Sequence, residues 1–186
     1  MSVDLNAPGR IMWFDDLGTG NPEYRFLSNF YEGVPIEMPD GQVFATGEHA
    51  FAAYKAAHPA AFAAIQGATS PGEAKSMGRK CTLRPDWEAV KYDVMAAVIR
   101  SKFGAGREEA TLLLRTGDAL LVEGTYWGDR VWGVDLKSYA DREVAHLAPG
   151  RNWLGTLLMA RRAELRALTV HGYCPDTETH NYEFFG

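Results

Sequence analysis

Glu48 and Lys55 stand seven residues apart in a segment that opens with Thr46, a residue suited to N-capping a helix over Thr46–Ala57. Seven residues are almost two helical turns, so this spacing predicts both side chains on one face, about 10 Å apart along the axis. A carboxylate in the first turn is held ionised by the helix dipole. It suits stabilisation of positive charge, or base work, better than proton donation. The same residues also fit a plain structural role, with Glu48 a capping acid and Lys55 lying along apolar surface with its ammonium in water. Asp129 sits in Tyr126-Trp127-Gly128-Asp129-Arg130-Val131-Trp132-Gly133, with two Trp and two Gly in eight residues. Glycines permit close backbone approach, and Trp faces stack on a flat base or ring. A turn held by buried Trp is the alternative. Trp87, near the start of its helix, reads as core or as a platform. Asn29, within Phe26-Leu27-Ser28-Asn29-Phe30, reads as a turn cap or as a base contact.

Other chemistries find no support. There is no phosphate-cradling lysine loop, no dinucleotide-binding glycine motif after a strand, and no nucleophile elbow. His49, His58, His146, His171 and His180 show no metal-ligand spacing, so neither a metal site nor another cofactor is expected.

The elements that must position these residues are mainly helical. Beyond Thr46–Ala57, which Pro59 closes, helices are expected over Ala60–Gln66 and from Pro71 to a stop at Gly78, the latter with a capping box from Ser70 to Glu73. Further helices are expected over Pro85–Phe103 and Arg107–Arg115, and from an Asn152 cap to Ala167. The last should turn Leu154, Leu157, Leu158, Leu165 and Leu168 inward. Pro39-Asp40-Gly41 between apolar flanks reads as a hairpin turn, and Ala119–Val122 as a short strand. The tail from His171 reads as loosely held.

The chain has 186 residues, of which 46% are apolar and 23% charged, an ordinary composition for one domain over residues 1–186. The net charge of −5 argues against coating DNA through bulk charge. That charge is unevenly placed. Ala74–Arg107 holds eight basic residues against three acidic ones, a local +5 within an otherwise acidic chain. Such a segment can receive phosphates locally, or be only a solvated helix face. Two cysteines without a CxxC pair, and no apolar run of membrane-spanning length, point to the cytoplasm and to no membrane partner.

In order along about residues 26–166, the chain resembles the NADAR, or YbiA-like, family. The matching segments begin with Phe26-Leu27-Ser28-Asn29-Phe30 and Phe44-Ala45-Thr46-Gly47-Glu48-His49-Ala50-Phe51 leading to Lys55. Ser70-Pro71, Met77-Gly78-Arg79, Leu83-Arg84-Pro85-Asp86-Trp87-Glu88 and Arg100-Ser101-Lys102-Phe103 follow. Leu121-Val122-Glu123-Gly124-Thr125, Asp129 with Trp132-Gly133, and Gly150-Arg151-Asn152-Trp153-Leu154-Gly155 complete the set. The stretch Val134–Pro149 departs from the pattern as an insertion. Two Trp-Gly pairs compete for the family turn, and Trp132-Gly133 is preferred because it puts Asp129 three residues ahead.

The resemblance implies a mostly α chain with a few short strands (α+β), a single-domain orthogonal helical bundle. It implies hydrolysis of an N-glycoside, either ADP-ribose on guanine in nucleic acid or a phosphoribosyl aminopyrimidine of riboflavin biosynthesis. A non-catalytic module binding ADP-ribose or nucleic acid is the third possibility, and an ADP-ribosyltransferase toxin is a conceivable partner. Glu48, Lys55 and Asp129 are the expected catalytic residues. Arg79 and Lys102 are expected to hold phosphates, with Ser28, Asn29, Phe30, Trp87, Trp132, Gly133 and Asn152 forming the rest of the binding surface. Breaking a ribosyl C–N bond builds positive charge on the sugar, which a carboxylate stabilises. Through an exocyclic amine the sugar can also open to an imine and pass to a lysine as a Schiff base. For Lys55 as nucleophile, a neighbouring Glu48 favours the ammonium and burial favours the free amine, and the sequence leaves that contest open.

Overall fold

The structure, a computed structural model, describes residues 10–15, 22–137 and 149–170. Among these are six α-helices, one 3-10 helix (Pro22–Leu27) and five short strands. The 138–148 part of the insertion and the tail after Val170 lie outside the described residues.

Helix α1 (Gly47–Ala53) is buried on every side, with all seven residues inaccessible. Its composition explains why: Gly and Ala present so little side chain that neighbouring helices approach closely. Thr46 caps it, accepting from the His49 amide. It ends at Ala53, short of the expected His58, because the following turn is drawn off by other partners. The Arg84 amide donates to the Lys55 carbonyl (2.8 Å) and the Ala57 amide to the Thr82 carbonyl (2.9 Å). Lys55 therefore stands in a turn beyond the helix rather than on it.

Around α1 pack α2 (Pro59–Gln66), α3 (Pro71–Lys80) and α4 (Trp87–Lys102). Helix α3 runs through Gly78 instead of stopping there. A Cβ on Gly78 would lie 2.8 Å from Cβ of Ala52, so this glycine serves the α1–α3 contact. Ser70 caps α3 as expected, but Glu73 reaches back to the amide and hydroxyl of Thr69 (both 2.7 Å), one residue earlier than a capping box requires. Helix α4 begins at Trp87, with Pro85 and Asp86 in the preceding turn.

The hairpin at Pro39-Asp40-Gly41 is present. It joins β2 (Ile36–Glu37) to β3 (Val43–Phe44), with Gly41 at φ +83°. A second sheet has the order β1-β4-β5 with both pairings parallel, made by β1 (Ile11–Phe14), β4 (Leu120–Thr125) and β5 (Val134–Asp135). The strand expected at Ala119–Val122 thus continues to Thr125.

Helix α5 (Glu108–Arg115) leads into β4, and α6 (Trp153–Val170) packs on it. Leu154, Leu158 and Leu165 are buried, while Leu168 is exposed, contrary to the expected stripe. Arg162 is buried too, donating to the Thr116 hydroxyl (2.6 Å) and the Ala119 carbonyl (2.9 Å). The fold is mostly helical with small sheets. No helix among the described residues is long and apolar enough to cross a membrane.

Candidate active site

A cavity of about 270 Å³ opens where α1, α3, α4 and the loop after β4 meet. Its floor is aromatic. The Phe51 ring lies 5.1 Å from that of Trp87 and 5.0 Å, edge-on, from that of Trp132. Tyr92 backs Trp132 at 5.4 Å. Trp87 is both core and platform, being buried yet lining the cavity.

Glu48 enters from the first turn of α1, is 6% exposed and lines the cavity. Lys55 enters from the turn after α1, its Nζ 4.7 Å from the centre of the Phe51 ring and 5.9 Å from that of Trp87. Burial pushes the Lys55 ammonium below the ordinary lysine range. Glu48 pulls it back up, and Lys75 and Arg79 add to the depression. The contest left open by the sequence thus goes to desolvation, which favours the free amine of Lys55.

Asp129 lines the cavity from the other side and shapes it as well. Its Oδ1 accepts from the amides of Val131 (2.9 Å) and Trp132 (3.0 Å), a bond pattern that closes the turn and sets the Trp132 ring against Phe51. Trp127 and Trp132 both line the cavity, so each Trp-Gly pair contributes a ring to it. Trp132 is in the floor, and Gly133 packs so close to β4 that a Cβ would be 2.6 Å from the Glu123 carbonyl. Gly133 permits the approach and does not itself line the cavity.

Asn29 lines the cavity, its Nδ2 donating to Met95 Sδ (3.3 Å) and its carbonyl accepting from the Glu48 amide (2.9 Å). Ser28 does not line it. Its hydroxyl accepts from the Phe30 amide (3.1 Å), a turn that presents Asn29. Phe30 stands behind Lys75, whose Nζ is 4.8 Å from its ring.

Lys102 and Asn152, like Ser28, Phe30 and Gly133, were expected at the binding surface and do not line the cavity. Lys102 is 2% exposed and donates to the Ser28 carbonyl at 2.5 Å, so its charge supports the Ser28–Asn29 turn from inside the core and cannot meet a phosphate at the cavity. Asn152 holds α6 to β4, accepting from the Glu123 amide (3.1 Å) and donating to the Leu121 carbonyl (2.8 Å), and its side chain does not line the cavity.

Of the basic segment, Lys75, Arg79 and Lys91 face the cavity. Others are turned elsewhere: Arg84 pairs with Asp86, Arg100 with Glu164, and Arg107 donates to the Pro35 carbonyl. Sequence reasoning did not single out Phe51, Lys75, Lys91 or Glu123 as cavity residues. The signals available were Phe51 one helical turn after Glu48, and Lys75 one turn before Arg79. Glu123 had no such signal, since β4 is buried from Leu121 to Thr125 without alternation.

The NADAR domain model matches residues 17–166. The chain belongs to the NADAR family. It is similar to the N-glycosidase YbiA of Escherichia coli (strain K12), with 38% identity over 149 residues that span 77% of this chain and 82% of that one. An N-glycosidase of Nostoc punctiforme is 34% identical over 151 residues, spanning 78% and 88% of the two chains. A chloroplastic riboflavin biosynthesis protein of Zea mays, PYRR, is 36% identical over 146 residues, which are 70% of this chain and 22% of that longer one. The NMR structure of E. coli YbiA superposes with a TM-score of 0.67 at 30% identity, over 98% of this chain and 99% of the other. This NADAR protein is an N-glycosidase of the YbiA-like family, a hydrolase.

Proposed function

We propose that the protein removes ADP-ribose from guanine bases of nucleic acid, with Lys55 as nucleophile, Glu48 as proton carrier and Asp129 as the charge facing the sugar. The observation that carries this reading is the Lys55 amine, buried on Phe51 and Trp87 beside Glu48, with desolvation outweighing the carboxylate. A ribose joined through an exocyclic amine opens by breaking C1′–O4′, with O4′ taking a proton, to give a C1′ iminium. Lys55 Nζ bonds to C1′, and the C1′–N bond to the base then breaks as the departing amine gains a proton through Glu48. Water adds to the resulting lysine imine, and the C1′–Nζ bond breaks to release the sugar aldehyde and free Lys55. Asp129 and Glu48 stabilise the positive charge at C1′ throughout.

Three cations at one cavity, Lys75, Arg79 and Lys91, are more than a single phosphate needs and suit a pyrophosphate. The class of enzyme that must supply this substrate is an ADP-ribosyltransferase acting on nucleic acid, and the cytoplasm is the proposed place of action. The similarity to the maize riboflavin biosynthesis protein favours a second reading, a phosphoribosyl aminopyrimidine opened by the same steps. Incubation with an ADP-ribosylated guanosine oligonucleotide and, separately, with the phosphoribosyl aminopyrimidine decides between them. Release of ADP-ribose from the first is expected. Turnover of the second alone overturns the nucleic-acid reading.

A further inference from the structure

Trp127 is absorbed by none of the chemistry above. It lines the cavity but is 39% exposed, at the mouth rather than the floor. A lone exposed apolar residue means little. Two local features make this one different. First, it is held in place. Lys75 Nζ lies 4.5 Å from the Trp127 ring centre and 4.8 Å from that of Phe30, so the ammonium contacts both rings and ties Trp127 to α3. Second, the loop carrying it is built to project. Gly128 takes φ +85° with no atom within 4 Å of where a Cβ would stand, and the Thr125 hydroxyl donates to the Asp129 carbonyl (3.0 Å), closing the loop's neck. The result is an indole beside a positive charge, continuous with a cavity whose catalytic end lies at Lys55.

We propose that Trp127 and Lys75 form a second subsite that stacks a nucleobase carried, through phosphate, beyond the ribose being cleaved. An indole face stacks any base, and the adjoining ammonium meets the phosphate that links it to the reacting sugar. The subsite rests on the ribosyl-phosphate reading of the cavity and adds to it a reason for preferring extended substrates. A compact phosphoribosyl metabolite has no second ring to place there.

The test is equilibrium binding, which requires no turnover. Calorimetry with ADP-ribose and with ribose 5-phosphate is run on the wild-type protein, Trp127→Ala, Trp127→Phe and Lys75→Met, with thermal melts to check folding. Binding of ADP-ribose should weaken on the order of 5- to 100-fold in Trp127→Ala, the size of one lost base–aromatic stack. Trp127→Phe should recover most of it, Lys75→Met should weaken both sugar ligands through their shared phosphate, and ribose 5-phosphate should bind the wild type and the two Trp127 variants alike. A guanosine dinucleotide without ADP-ribose identifies the source of the base. If its binding shares the Trp127 dependence, the stacked ring is a flanking base of the nucleic acid, and if only ADP-ribose does, it is the adenine. Equal weakening of both sugar ligands by Trp127→Ala, no effect of Trp127→Ala on ADP-ribose, or wild-type affinity for ADP-ribose no better than for ribose 5-phosphate overturns the proposal. Failure of ADP-ribosyl-guanine turnover with Trp127-dependent binding intact would remove the substrate reading and leave the subsite standing.

Discussion

Asp129 makes two contributions that substitution can separate. One is geometric: a single oxygen, Oδ1, takes the Val131 and Trp132 amides and so fixes the ring packed 5.0 Å from Phe51. The other is its negative charge at the cavity. Asp129→Ala removes both, whereas Asp129→Asn keeps a neutral acceptor and removes only the charge. Hydrogen bonds to charged groups contribute roughly 1.5–3 kcal/mol each when lost from buried sites. The turn is half-buried and water can reach the released amides, so the lower end applies, about 2–3 kcal/mol for the pair. For a chain of this size that lowers the melting temperature of Asp129→Ala by about 4–12 °C. Asp129→Asn should lose about half as much. Turnover should separate differently, with both variants falling by about 100-fold or more because both lack the charge proposed to face the sugar. Scanning calorimetry gives the first quantity and single-substrate kinetics the second. An Asn variant with wild-type turnover would refute the charge role and leave Asp129 as a turn residue. An Ala variant that melts with the wild type would refute the geometric one.

Lys55→Met should raise stability at neutral pH while abolishing turnover, since it removes a charge that burial disfavours. Because the folded-state pKa of Lys55 is depressed, the unfolded chain binds the extra proton between that value and the ordinary lysine pKa. The advantage of Met therefore shrinks as pH rises through that window, and melts at a series of pH values that show a constant or growing gap would contradict the assignment. Gly155→Ala places a Cβ 2.1 Å from the Leu121 carbonyl, a backbone atom that cannot move aside, and should destabilise by about 3 kcal/mol in urea unfolding. A change under about 0.5 kcal/mol would mean that α6 and β4 are farther apart than described. Turnover should survive EDTA unchanged, as the proposed steps use only side chains; complete loss restored by a divalent ion would reject them.

The sequence made most helices legible because their ends carry local chemistry: Thr46 and Ser70 as caps, Pro59 and Pro71 in first turns. Glycine was a poorer guide. Gly78 reads as a stop on local grounds, yet it lies inside α3 because Ala52 leaves room for nothing larger. The parallel pairing of β1 with β4 joins residues more than a hundred apart, in strands of four and six residues too short to carry a period, so nothing in the chain announces it. At the cavity, Glu48, Lys55 and Asp129 come together although α1 ends before Lys55, because the turn drawn to Thr82–Arg84 keeps the lysine over Phe51. Lys102 and Asn152 show the opposite. A charge in a basic segment and an amide at a helix start look the same in sequence whether they meet a ligand or a backbone carbonyl. Here each meets a carbonyl.

The central claim is that Lys55 bonds covalently to the sugar during turnover. Cyanoborohydride added while the protein acts on an ADP-ribosylated guanosine oligonucleotide reduces any lysine imine to a stable secondary amine, which peptide mass spectrometry locates. An ADP-ribose adduct is expected on Lys55, absent from Lys55→Arg, which should also be inactive. No adduct on the wild-type protein, with Lys55→Arg retaining most of its turnover, would contradict that claim.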